Sequence, residues 1–139
     1  MSSNIISIME GRSSEECNAL SHEIIGAALE VHKQLGPGLL EIVYEECLAE
    51  ELALRGYKVE RQVSLPIIYK GKEIGHPLTI DMLVEGSIII ELKSVKEMHD
   101  VYSAQLLSYL RLSNLKLGFL INFNCVQLRD GLKRIVNGL

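Results

Sequence analysis

At 139 residues with 47% apolar side chains, the chain has the length for one domain with a sizeable core and is too apolar to be disordered. Its formal net charge of −4 excludes a generally polyanion-binding surface, so any contact with phosphates has to be local. No apolar run reaches spanning length, Met1–Gly11 lack a basic start and long apolar centre, and Cys17, Cys47 and Cys125 show no C-x-x-C spacing. These features predict reduced thiols, a cytoplasmic location and no membrane partner.

Residues 1–15 are expected to form an N-terminal extension and 16–139 a single domain. A first helix is predicted to begin between Ser13 and Ser21 and to run to about Leu35, because Leu20, Ile24, Ala27, Ala28, Val31 and Leu35 repeat at helical spacing. Gly36-Pro37-Gly38 stops it. His32 near its end suits the helix dipole without any catalytic role. A second helix is predicted over about Leu40 to Arg55, burying Val43, Cys47, Leu48, Leu52 and Leu54, with Gly56 ending it. Tyr57 to Tyr69 reads as one long or bent strand in which Pro66 marks an edge position or a break. Lys70-Gly71-Lys72 then turns the chain.

Leu78–Val84 and Ile88–Lys93 are rich in β-branched and aliphatic residues and flank Glu85-Gly86-Ser87, the pattern of a hairpin. A loop of those three residues pairs Val84 with Ile88 and sets Asp81 opposite Glu91, with Lys93 on the same face; a two-residue loop would set Asp81 opposite Ile90. The first register gathers the charged groups and leaves Ile80, Met82, Ile90 and Leu92 together on the other face. Facing carboxylates repel and require a cation. Hard oxygen donors suit Mg²⁺ or Mn²⁺, and the neighbouring lysine suits orienting a water or stabilising charge at a phosphate. The same residues also fit a charged sheet end with solvated tips.

After the polar link Ser94–Asp100, a helix near Val101 to Leu112 and an apolar strand over Leu115 to Phe123 are predicted. Strand, helix and strand in that order place the last strand parallel to the Glu91 strand. Asp130-Gly131 is a turn signal before a short strand, Leu132 to Val136. Gln105 and Tyr109 share one face of the helix, where they suit holding a phosphate or a water, or an ordinary boundary between core and solvent. Lys33, Lys93, Lys96, Arg111, Lys116, Arg129, Lys133 and Arg134 are candidates for a basic patch and equally fit solvated surface.

Gly38, Glu41 and Tyr44 stand at the spacing G-x-x-E-x-x-Y, followed by Asp81, Glu91-Leu92-Lys93, Gln105 with Tyr109, and Leu120 to Asn124. From about Leu20 to Val136 the chain resembles the GxxExxY family of the PD-(D/E)XK nuclease superfamily. The resemblance implies an α/β (α+β) restriction-endonuclease-like core, a central mixed β-sheet flanked by helices. It also implies metal-dependent phosphodiester hydrolysis of nucleic acid, DNA or RNA, with Mg²⁺ or Mn²⁺ held by Glu41, Asp81 and Glu91. Lys93, Gln105 and Tyr109 would complete the catalytic set, and a homodimer would reach both strands of a duplex. Glu41 also suits the first turn of its helix through the dipole, and Tyr44 suits core packing with its hydroxyl at the rim. Ile80 stands where the superfamily name has proline. The segment His76-Pro77-Leu78-Thr79-Ile80 lacks the aromatic-basic pair expected before the aspartate, which leaves a non-catalytic nucleic-acid-binding or protein-interaction module as the alternative.

Overall fold

The computed structural model describes residues 14–138. The expected N-terminal extension falls outside them except for Ser14 and Glu15, which already belong to the first helix. In chain order the elements are α1 (Ser14–Leu35), α2 (Glu41–Leu54), β1 (Val59–Leu65), β2 (Ile68–Tyr69), β3 (Lys72–Glu73), β4 (Leu78–Val84), β5 (Ile88–Lys93), α3 (Asp100–Ser113), β6 (Leu117–Asn122) and β7 (Leu132–Val136). Among the described residues no helix is long and apolar enough to cross a membrane.

Five strands form one sheet in the order β1-β4-β5-β6-β7. It is mixed: β5 and β6 run parallel, as the intervening α3 dictates, and the other pairings are antiparallel. Helices cover both faces, an α+β architecture. β5 lies at the centre, and Ile88, Ile89 and Ile90 are fully buried, which explains its unbroken apolar run. On one face Ile24, Ala27 and Ala28 of α1 and Tyr44, Leu48 and Leu52 of α2 pack against Met82, Ile90, Leu92 and Phe119. On the other, Leu106, Tyr109 and Leu110 of α3 pack against Val63, Ile80, Ile89 and Leu120.

Three sequence expectations need correction. The predicted strand from Tyr57 to Tyr69 is divided: β1 ends before Pro66, which cannot donate to a ladder, and β2 pairs only with β3 in a separate ribbon. Leu54 is 73% exposed, because two residues beyond Leu52 the helix has turned to its opposite side. Ile80 joins the α3 face, whereas Met82, Ile90 and Leu92 join the α1–α2 face, so the strict alternation of β4 fails between Ile80 and Met82.

Two polar clasps fix the ends of elements around β5. His32, expected to be structural, places its Nε2 2.8 Å from the backbone oxygen of Cys125 and so ties α1 to the segment after β6. Asn122, at the end of β6, accepts from the N–H groups of Val95 and Asn124 and donates to the Val95 carbonyl. Phe123 N–H adds a bond to the Lys93 carbonyl. Asn122→Ala would remove the partner of these part-buried backbone groups, and is expected to cost about 1–3 kcal/mol in chemical denaturation.

Candidate active site

The β4–β5 register pairs Val84 with Ile88 and Met82 with Ile90, as the three-residue loop predicts, which brings Asp81 opposite Glu91. The backbone ladder stops at that level. In its place the Asp81 N–H donates to Glu91 Oε2 at 2.9 Å, and the Leu92 N–H donates to Asp81 Oδ2 at 2.9 Å. Each carboxylate thus satisfies a main-chain donor of the opposite strand. The β1–β4 ladder is interrupted at the same level, between its Arg61–Met82 and Val63–Ile80 pairs. Gln62, in the gap, has φ of 51°, a left-handed conformation uncommon for a non-glycine residue. Both neighbours of β4 therefore open around Asp81, and the opening accounts for the change of face at Ile80.

The pair is electrostatically unsatisfied. Burial first, and the charge of Asp81 second, push the Glu91 carboxyl up to about 8. The Asp81 carboxyl is also raised, chiefly by burial and further by Glu41, against the Leu92 N–H, Lys93 and Gln62, which favour its ionised form. Lys93 acts on both acids, and its Nζ lies 4.4 Å from the centre of the Tyr102 ring. Tyr109 approaches from α3; burial and the two acids raise its hydroxyl pKa. Gln105, one turn earlier, is exposed and makes no hydrogen bond to the acids among the described residues.

Glu41 opens α2 and is exposed. Its helix start is drawn toward the end of β5 by Ser94, whose hydroxyl donates to the Leu39 carbonyl at 2.5 Å. Tyr44 is fully buried and stacked on Phe123 with ring centres 4.5 Å apart. Its hydroxyl donates to the Gly36 carbonyl and accepts from the Leu39 N–H, fastening the loop in which Gly36 and Gly38 take positive φ. Within the motif, Gly38 and Tyr44 thus shape the approach to α2, while Glu41 faces outward near Asp81.

Glu45 is a further residue of the site that no sequence motif marks. It is only 5% exposed, accepts from Arg61 through Nε and Nη2 at 2.9 Å each, and accepts from Gln62 Nε2 at 2.8 Å. Glu45 clamps the stretch of β1 that departs from regular geometry beside Asp81, and its charge also raises Glu91. The available signal was its position one turn after Glu41 on the same helix face. Its partners in β1 carry no spacing that marks them.

The family profile of the PD-(D/E)XK nuclease superfamily matches residues 18–135. The chain belongs to that superfamily. No curated protein and no solved structure matches it significantly. Among the described residues no group of three or more His, Cys, Asp or Glu is gathered to hold a metal ion, so Glu41, Asp81 and Glu91 do not form a ready trio. One oxygen of each central acid accepts from the backbone of the opposite strand. The donor chemistry still fits a hard divalent cation: two carboxylates face each other with too little positive charge, and Mg²⁺ is commonly held by one or two carboxylates together with waters and substrate phosphate.

Two outcomes follow for the metal-free protein. Glu91 releases its proton at 4.5 when unfolded and at about 8 when folded, so between those values the folded state holds more protons. Its contribution is fully present below pH 4.5 and is lost as pH rises through about 8. Glu91→Gln is expected to flatten that part of the stability–pH curve measured by urea unfolding. Glu45→Ala removes the acceptor of Arg61 and Gln62 and is expected to cost about 1–3 kcal/mol in the same assay.

Proposed function

We propose that this protein is a divalent-metal-dependent nuclease of the GxxExxY kind, hydrolysing phosphodiester bonds of DNA or RNA. The observation that carries the reading is the facing pair Asp81 and Glu91 on β4 and β5, with Lys93 acting on both, in a chain of a nuclease superfamily whose members generally use divalent ions.

Asp81 and Glu91 would hold Mg²⁺ or Mn²⁺, and Glu41 at the start of α2 would add negative charge from the outer side. The ion supplies Lewis acidity toward the scissile phosphate and lowers the pKa of water beside it. Lys93 orients the attacking water or offsets charge developing on the phosphoryl oxygens. The Tyr109 hydroxyl, with its raised pKa, stays protonated and able to donate to a phosphate, and Gln105 adds an amide donor one turn away. Burial of Glu91 excludes water and strengthens each of these interactions. Cys17, Cys47 and Cys125 are free thiols, consistent with work in the cytoplasm, and a second copy would bring another centre to the opposite strand of a duplex.

Purified protein is expected to cleave labelled DNA or RNA with Mg²⁺ or Mn²⁺ and to stop in EDTA. Lys93→Ala is expected to lower the rate by about 100-fold or more, with circular dichroism and melting temperature unchanged. Absence of cleavage on single-stranded and duplex DNA and RNA would overturn the reading. Calorimetry in which Asp81→Asn binds Mn²⁺ as well as the wild type would do the same and leave the non-catalytic module.

A further inference from the structure

Between Leu65 and Leu78 the chain leaves the sheet and makes an arm. All of residues 68–77 are exposed. The arm is a two-stranded ribbon in which Ile68 pairs with Glu73 and Tyr69 with Lys72, closed by an Ile74 N–H bond to the Ile67 carbonyl. Lys70 and Gly71 form its tip with φ of 51° and 81°. Two consecutive positive values define a type I′ turn, which favours Asn-Gly and disfavours lysine at the first position. Lysine is uncommon in that conformation.

The side chains at the tip form one recognition unit. Tyr69 is 62% exposed, with Lys70 Nζ 5.5 Å from its ring centre. Lys72, as its cross-strand partner, lies on the same face of the ribbon. Ile68, 57% exposed, adds apolar surface. A ribbon this short has no core of its own and is marginal alone in water, yet it presents an exposed aromatic ring with one lysine ammonium beside it and a second lysine across the ribbon, on a chain whose net charge is −4.

Its location adds to this. Leu65 pairs with Leu78, three residues before Asp81, or about 10 Å along the strand. In the β4–β5 register that end of β4 is also where Lys93 closes β5. The arm therefore springs from the end of the sheet that carries the acids.

We propose that this arm binds single-stranded nucleic acid beside the site, stacking an unpaired base on Tyr69 while Lys70 and Lys72 meet the flanking phosphates. It rests on the nuclease reading for its choice of ligand and deepens it by naming an unpaired strand. Charge complementarity favours this occupant: the arm offers Lys70 and Lys72 against the single acid Glu73, and every base offers a π-face.

The chain contains no tryptophan, so Tyr69→Trp installs a single indole on the exposed ribbon, excited selectively at wavelengths where tyrosine does not absorb. In EDTA, titration of that variant with single-stranded oligothymidylate is expected to quench the introduced indole saturably, with the same midpoint as anisotropy of the labelled strand. Tyr69→Ala in the otherwise native chain is expected to weaken binding about tenfold. Lys70→Ala with Lys72→Ala is expected to reduce the log–log salt slope by about 1.4, at about 0.7 per ammonium. Unchanged indole emission at saturating strand, alanine variants that bind like wild type, or no binding at all would each overturn the proposal. Cleavage by wild type with an inert arm sinks the arm alone; a quenched indole without metal-dependent cleavage by the wild type sinks the nuclease reading alone.

Discussion

Two acids whose ionised forms would repel one another are held face to face inside the sheet, and the structure around them is arranged to permit it. Two bonds to side chains, from the Asp81 N–H to the Glu91 carboxyl and from the Leu92 N–H to the Asp81 carboxyl, stand in for the missing rungs of the β4–β5 ladder. A regular ladder would have saturated those amides and left both acids to find other partners. Here the acids become part of the backbone network. The arrangement is stable enough to fold around and still short of positive charge, the condition in which a cation is most strongly favoured.

The opening at Asp81 spreads into β1. Gln62 takes a left-handed backbone, and Arg61 and Gln62 reach across to Glu45 on α2. The consequence for packing is that Val63 and Ile80 turn toward α3, while Met82 turns toward α1 and α2. One local irregularity thus serves two ends: it frees the polar groups of the site and redistributes apolar side chains so that both layers of helices are met. Tyr44, through its hydroxyl bonds to the Gly36–Leu39 loop, then brings the start of α2 to the same end of the sheet.

Much of this was legible in the sequence because it is local. Glu85-Gly86-Ser87 fixed the hairpin register, and with it the meeting of Asp81 and Glu91; the strand, helix, strand order fixed the parallel pairing of β5 with β6. The helical repeat from Leu20 to Leu35 gave α1 its buried face. What escaped depends on residues distant in the chain. Nothing near Ile80 shows that it will change face, since the cause is the backbone of Gln62 on another strand. Glu45 reads as one more helix acid until Arg61 and Gln62 are seen beside it. Leu54 looked buried by composition, but its angular position on α2 leaves it in solvent. Pro66 signalled an edge or a break, and only the pairing of β2 with β3 decides for the break.

The hairpin that unites the acids is closed by the shortest link in the main sheet, so their encounter costs little loop-closure entropy. The shelter above them, by contrast, comes from α3, which enters only after β5 is complete. The meeting of the two acids and their burial are therefore set by different segments of the chain: the β4–β5 hairpin joins them, and α3, through Tyr109, covers them.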